Sequence, residues 1–375
     1  MIKPCKICGQ NSFKEIFSYP KGFFSDGNIL NSSLEKEECV HCGTIRTKLQ
    51  TNLDEFYKSN YSPSRNIDTV AISNNEQLSR SDFVFDWIKE LTNDIKLDES
   101  TSLIEIGCGQ GYLLEKFENK NKFGVEPSIS ASEIAGKIAD VRNIGYEEIS
   151  NNESYDTTLS YCVIEHVEDP NLFLEKNYNI LKEDGIMIIA LPIQDKFNYD
   201  LLFVDHIHHF NHINFNKLLK KNGFEIINYQ LGKESYSNIA MYICKKTQKE
   251  SDNIDFTFIK NQNTKSIDQI FKNIDLIIKT YQNKPLYAFG YGEISKTIIP
   301  YTDLDQYITK YVDDYSISEK VITSKRSKKI FKDHDKINLI LMVNPVHQEK
   351  IKQLYSEFDN INFLNIFENI PMENK

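Results

Sequence analysis

The sequence predicts an α/β protein in three parts, a small cysteine-bearing module followed by two domains on largely parallel sheets. Three observations predict it. Two Cys-x-x-Cys-Gly motifs fall within the first 43 residues, apolar bursts alternate with amphipathic stretches from about residue 80, and a second alternation follows a polar stretch at 246–256. The expected parts are 1–70, 71–250 and 251–375, since 375 residues accommodate two or three domains of roughly 100 to 200 residues each.

Gly and Pro punctuate residues 1–70, aromatic patches lie at Phe13–Phe24 and Phe56–Tyr61, and no helical period persists, so this part reads as a small metal-stapled unit. In the second part, Ser102–Ile106, Lys122–Val125, Thr157–Val163, Gly185–Leu191, Phe224–Tyr229 and Ile239–Cys244 read as six strands. Helices separate the early strands, which therefore pair in parallel; the last two follow closely and are expected to run antiparallel at the sheet edge. The third part alternates again. A helix near 264–282 precedes strands at Leu286–Phe289, Ile308–Val312, Leu339–Val343 and Ile361–Asn365, with helices after Gly292 and Pro345.

Lys and Arg number 44 against 54 Asp and Glu, a net charge of −10 with a pI near 5.4. This balance disfavours broad binding to nucleic acid or anionic membranes, which needs clustered basic residues. The longest apolar runs, such as Ile186–Ile193, stop at eight residues, and Met1 to Cys5 opens no charged-then-apolar leader, so the expected location is the cytoplasm. Seven cysteines are an odd number, and four of them form two pairs, which suits a reduced metal site better than a disulfide framework.

Cys5-Lys-Ile-Cys8-Gly9 and Cys39-Val-His-Cys42-Gly43 are knuckles of one type with 30 residues between them. In a knuckle two thiolates reach one ion from a tight turn, and the following Gly permits the left-handed backbone that aims amides at sulfur. Four thiolates suit structural zinc and leave no open coordination position, so Cys5, Cys8, Cys39 and Cys42 are expected to serve folding. His41, inside the second knuckle, is expected to face solvent.

Glu105-Ile-Gly107-Cys108-Gly109-Gln110-Gly111 runs from a strand into a Gly-rich turn and then an amphipathic stretch, and Phe123-Gly-Val-Glu126-Pro127 ends a second strand on an acid 19 positions after Gly107. Glycines let the backbone approach a ligand, and such an acid can chelate ribose hydroxyls. A dinucleotide turn usually reads Gly-x-Gly-x-x-Gly; here the third Gly comes one residue early. Glu105 would repel a phosphate but can receive the ammonium of an amino-acid tail, so S-adenosylmethionine fits better than NAD.

Glu105 to Gly111, Glu126, the strand opened by Tyr155-Asp156 and ended by Val163-Ile-Glu165-His166-Val-Glu-Asp-Pro170, and Leu181 to Pro192 together resemble class I S-adenosylmethionine-dependent methyltransferases across about 100–230. The resemblance implies a Rossmann-like core in which Gly107, Gly109 and Gly111 lie under the methionine moiety and Glu126 holds the ribose. It places Pro127, Gly145, Cys162 and His166 around the cofactor and Glu165 toward the substrate. The order of modules, ending in Tyr287-Ala-Phe-Gly290-Tyr-Gly292 and Val312-Asp313-Asp314, resembles the bacterial C-methyltransferases of nucleotide-linked deoxysugars over nearly the whole sequence. This implies a second Rossmann-like α/β domain at the C-terminus and a nucleotide-linked keto sugar as substrate.

Carbon methylation needs a base for the C–H next to the ketone and stabilisation of the enolate. Asp205-His206-Ile-His208-His209-Phe210-Asn211-His212 is the densest titratable cluster in the sequence. Those enzymes carry Tyr-x-Glu-His-x-x-Tyr-Phe here, and the matching residues are Phe203, Asp205, His206, His209 and Phe210, so the acid–His pair is kept and both Tyr positions differ. The resemblance implies His206 as base, with Asp205 or Glu165 orienting it and His209 nearby. Tyr57 and Tyr61 stand for the family's Tyr-rich substrate segment, although no His follows them before His166, and Gly232-Lys-Glu-Ser-Tyr-Ser-Asn replaces an expected Gly-Gly-Ser. A zinc site among His206, His208, His209 and His212 is disfavoured because no acidic partner is apparent. The basic run Lys320 to Lys332 is read as a solvated face. The expected partner is the nucleotide-linked sugar, with no nucleic acid and no membrane, acting on a monomer or homodimer; the alternative is O- or N-methylation of a sugar or other small metabolite.

Overall fold

In the computed structural model, residues 3–30, 33–48, 53–60, 70–73, 76–95, 97–233, 236–249 and 254–370 are described. They form two compact units: residues 1–18, 35–200 and 204–261, and residues 19–34, 201–203 and 262–375.

The first unit is built on a seven-stranded sheet, numbered β1 (Ser102–Ile106), β2 (Asn121–Val125), β3 (Asp140–Arg142), β4 (Tyr155–Tyr161), β5 (Leu181–Pro192), β6 (Phe224–Leu231) and β7 (Ile239–Lys246). Its order is 3-2-1-4-5-7-6. β1 to β5 pair in parallel, and β7 runs antiparallel to both β5 and β6. Every residue of Gly185–Pro192 in β5 is buried, as a strand covered on both faces requires. The helix Arg80–Leu91 lays Val84, Trp87, Ile88 and Leu91 on the sheet at helical spacing, packing with Leu103, Leu159 and Ile188.

Two features correct the expected sheet. The antiparallel strand is not at the edge: β7 inserts between β5 and β6, pairing Ile188 with Ile243 on one side and Leu231 with Ala240 on the other. Ala240–Cys244 is fully buried, whereas β6 exposes Glu225 and Ile227, which only an edge strand tolerates. β3 escapes the sequence reading because three residues, two of them charged, make no apolar burst. In addition, the strand expected to reach Val163 stops at Tyr161, because Cys162 takes a left-handed φ of 55°.

A smaller sheet carries the N-terminal module. Its strands follow the order Phe13–Tyr19, Leu34–Cys39, Ile45–Thr47 and His208–His209. The fourth strand is lent by a distant part of the sequence, with His208 opposite Arg46 and His209 opposite Ile45.

The second unit holds a parallel five-stranded sheet in the order Val321–Ile322, Lys310–Val312, Leu286–Phe289, Ile337–Leu341, Ile361–Asn365, which is 3-2-1-4-5 in sequence order. The helix Asn263–Tyr281 precedes it. Helix Ser324–Lys332 buries Ser327 and Phe331 and turns Lys325, Arg326, Lys329 and Lys332 outward, the solvated face expected of this basic run. At its Gly-rich turn the Tyr291 N–H donates to Asp313 Oδ2 at 2.9 Å.

Candidate active site and cysteine cluster

The four knuckle cysteines gather as their spacing predicts. Gly9 and Gly43 stand at φ of 77° and 72°, closing turns in which their amides donate to Cys5 O and Cys39 O at 2.8 Å. A Cβ on Gly43 would lie 2.1 Å from Ile259 O, so backbone packing as well as φ demands Gly there. The sulfurs of Cys5 and Cys42 are 3.8 Å apart, those of Cys8 and Cys39 3.6 Å, and all four lie within 4.8 Å of one another. A tetrahedral ion with metal–sulfur bonds of about 2.3 Å spaces its sulfurs by about 3.8 Å, so this donor set fits zinc. His41 is exposed, as expected.

The donor pocket opens where the strand order reverses, at the carboxyl ends of β1 and β4, the position at which such sheets bind ligands. Gly107, Gly109 and Gly111 all have left-handed φ, of 73°, 54° and 83°. A Cβ on Gly107 would stand 2.6 Å from Val163 Cγ2, whereas one on Gly109 would meet nothing within 4 Å, so Gly109 borders open space. Glu126 reaches back from β2. Its Oε2 accepts from Gly109 N–H and its Oε1 from Ser128 N–H, each at 2.9 Å. Burial raises this carboxyl while the two amides oppose the shift. Glu105 is 3% exposed, and its Oε2 has no hydrogen-bond partner. Burial, then the charge of Glu126, pushes it up to about 8. A buried carboxyl oxygen left without a partner suits the ammonium end of an amino-acid ligand, so the residues present fit S-adenosylmethionine. Pro127 and Gly145 flank the turn after β2 and β3, where Asn143 Nδ2 donates to Pro127 O at 2.9 Å. Replacing Glu126 with Ala leaves two amides without acceptors and should weaken donor binding tenfold or more, from roughly 1.5–3 kcal/mol per charged hydrogen bond, as measured by titration calorimetry.

Beyond β4, the left-handed Cys162 turns the backbone so that Glu165 O accepts from Ile207 and His208 N–H at 2.7 and 3.2 Å. This brings Asp205-His206 against Glu165-His166. The His166 and His206 rings meet edge to face with centroids 4.7 Å apart. His166 Nδ1 lies 2.9 Å from Asp205 O and 2.8 Å from Tyr57 Oη. A carbonyl only accepts, so Nδ1 carries the proton. Burial pushes His166 down to about 4 and Glu165, 1% exposed, up to about 7. Neither Glu165 oxygen has a hydrogen-bond partner.

The partner of His206 is one the sequence did not reveal. The expected orienting acids were Asp205 or Glu165, but Nδ1 of His206 lies 3.3 Å from Asp200 Oδ2, and the same oxygen is 3.0 Å from Nδ1 of His209. Burial opposes its charge, yet His209 and His206 hold the Asp200 carboxyl well below the usual carboxylate range. Burial alone would lower His206, but Asp200 raises it. Nε2 of His209 lies 2.8 Å from Nζ of Lys36, which is wholly buried.

The structure thus brings together Tyr57, Glu165, His166, Asp205, His206 and His209, and joins Gly109 to Glu126. Tyr61 lies outside the described residues. The four histidines weighed for zinc do not converge: His208 Nε2 faces Glu168 O and His212 Nδ1 faces Tyr242 Oη. Instead Glu165, His166 and His206 each bring one donor atom within 4.8 Å of the others, so the acidic neighbour is Glu165, from a different loop. Asp200 and Lys36 are the residues the sequence reading missed. No local spacing marks Asp200. For Lys36 a signal existed, since strand alternation puts it on the same face as the buried Leu34.

Residues 76–229 match the model of a family described as a methyltransferase domain. With the 3-2-1-4-5-7-6 sheet, this stretch is a class I S-adenosylmethionine-dependent methyltransferase domain. Among curated proteins, the ubiquinone biosynthesis O-methyltransferase of Rhodopseudomonas palustris (strain TIE-1) is 36% identical over 101 residues, 24% of this chain and 40% of that protein. The chain therefore spans about two fifths of the length of the curated relatives it matches. Among solved structures, the chain is similar to an S-adenosylmethionine-dependent methyltransferase of Thermotoga maritima, described as a possible histamine N-methyltransferase. That likeness has 24% identity, covers 44% of this chain and 91% of that one, and has a TM-score of 0.37. Magnesium protoporphyrin IX methyltransferase of Synechocystis is 15% identical, with 45% and 82% covered and a TM-score of 0.37. No helix among the described residues is long and apolar enough to cross a membrane.

Proposed function

We propose that the protein methylates a carbon atom of a nucleotide diphosphate-linked keto deoxysugar, with His206 as the base. The observation that carries this reading is the buried Asp200–His206 pair set against Glu165–His166 just beyond β4. When bound, S-adenosylmethionine supplies a methyl group already activated on a sulfonium. The protein must then align the acceptor carbon, exclude water and remove one proton. Asp200 accepts from Nδ1–H of His206, so Nε2 takes the proton next to the ketone, and the enolate oxygen is received by His166 or by Glu165 in its protonated form. In this reading Cys5, Cys8, Cys39 and Cys42 hold structural zinc, Tyr57 and Tyr61 contact the sugar, and the parts 1–70, 71–250 and 251–375 serve metal and substrate, donor, and substrate enclosure. The protein acts in the cytoplasm as a monomer or homodimer, without nucleic acid or membrane.

A second reading, methyl transfer to a hydroxyl, is favoured by the O-methyltransferase names of the curated relatives. The same base serves it. NMR of the reaction with methyl-labelled donor and nucleotide-linked 4-keto-6-deoxy sugars decides: a label coupled to sugar carbon supports the first reading, and a methoxy signal replaces it with the second.

A further inference from the structure

We propose that Lys36 is a positioning residue for His206: from the N-terminal sheet it donates to His209 and, through His209 and Asp200, fixes which nitrogen of His206 carries the proton. The inference rests on reading His206 as the base, and it draws the cysteine module into the chemistry of the domain it packs on.

The series of contacts is short at every link. Nζ of Lys36 donates to Thr47 Oγ1 at 2.6 Å, to His206 O at 3.0 Å and to His209 Nε2 at 2.8 Å. Three acceptors match the three N–H bonds of an ammonium group. Since Nε2 of His209 accepts, its proton sits on Nδ1 and points to Asp200 Oδ2 at 3.0 Å. That oxygen also accepts from Nδ1 of His206 at 3.3 Å, which leaves Nε2 of His206 as the basic nitrogen. Lys36 is held for this task. It projects inward from Leu34–Cys39, three residues before the metal-ligating Cys39, with Thr47 opposite in the ladder and His209 on the next strand but one.

Charge makes the arrangement sensitive to pH. Asp200 and Asp205 face Lys36; Asp200, Asp205, Glu165 and His166 face His206. Burial pushes Lys36 down to about 7, opposed by the two aspartates. Without its positive charge, Asp200 is balanced by the histidines alone, so His206 holds its proton more tightly. A base must be unprotonated to act, so activity would then appear only at higher pH.

The test uses the full-length protein with Lys36→Met, Lys36→Gln and Lys36→Arg. Ring-labelled histidine NMR, with the His206 signal identified by its loss in His206→Asn, reads the titration directly. Lys36→Met is expected to raise the His206 midpoint by about one pH unit, to move the acid limb of kcat/KM upward equally, and to leave donor affinity unchanged; Lys36→Arg restores much of the original profile. A uniform loss of kcat at every pH with unchanged His206 titration overturns the proposal, because a purely structural lysine does just that. Should Lys36→Met not fold, His209→Gln tests the same link from its other side, and an unmoved His206 midpoint there is equally fatal. If the native protein methylates no keto sugar, the proposed function falls while the NMR titration still decides the role of Lys36.

Discussion

His206→Asn should lower the rate of methyl transfer by about 10²- to 10⁴-fold, the usual contribution of a positioned general base. Asn keeps a polar group near Asp200 but has no basic nitrogen, so packing survives while proton removal does not. Donor binding is expected to stay within a few-fold of the native value, because the pocket around Gly109 and Glu126 belongs to the other loop of the switch point. The loss should therefore appear in kcat, with Kd for S-adenosylmethionine measured separately by calorimetry. A second signature follows from the sign of the charge effect. The Asp200 carboxylate raises His206, so the native rate should climb with pH through a midpoint above the ordinary imidazole value and then level off. A fully active His206→Asn enzyme would move the base elsewhere in the cluster, with Asp205 the nearest candidate.

Cys39→Ser should be as damaging, through stability. The thiolate set closes a module whose own core is small, and structural zinc in isolated fingers supplies on the order of 10 kcal/mol of apparent folding free energy. Expected results are loss of one equivalent of bound zinc, a lower and less cooperative thermal transition, and activity that falls together with folded protein. A chelator strong enough to strip the metal should reproduce the effect in the native protein, and added zinc should reverse it only there. Equal zinc content and equal thermal stability in Cys39→Ser and native protein would remove the metal from the account.

What the sequence made legible was whatever is carried by short spacing. The knuckles announce themselves because two cysteines and a glycine in five residues already define a turn. The tie between Gly109 and Glu126 was foreseen because a strand, a Gly-rich turn and a second strand of fixed length bring them together. The place of β7 was not, since insertion between β5 and β6 is decided by ladders to Ile188 and Leu231, distant in sequence from one another. Asp200 was missed for a similar reason: the bend between residues 200 and 209 folds one carboxylate onto two imidazoles, and no periodicity encodes a bend. Lys36 was hidden by its company, lying in Leu-Glu-Lys-Glu-Glu-Cys, where charge suggests solvent and only alternation reveals the inward face.

The strand His208–His209 has a consequence for how the protein is made. Its partner Ile45–Thr47 leaves the ribosome 208 − 47 = 161 residues earlier. At about 5–20 residues per second, the first cysteine-bearing strands spend roughly 8–32 seconds with an unpaired edge before the fourth strand is synthesised. During that interval zinc can clamp the two knuckles while the edge beside them stays open to another nascent polypeptide. Crowded translation without zinc should therefore yield aggregates seeded by the N-terminal strands, even where the finished enzyme is stable.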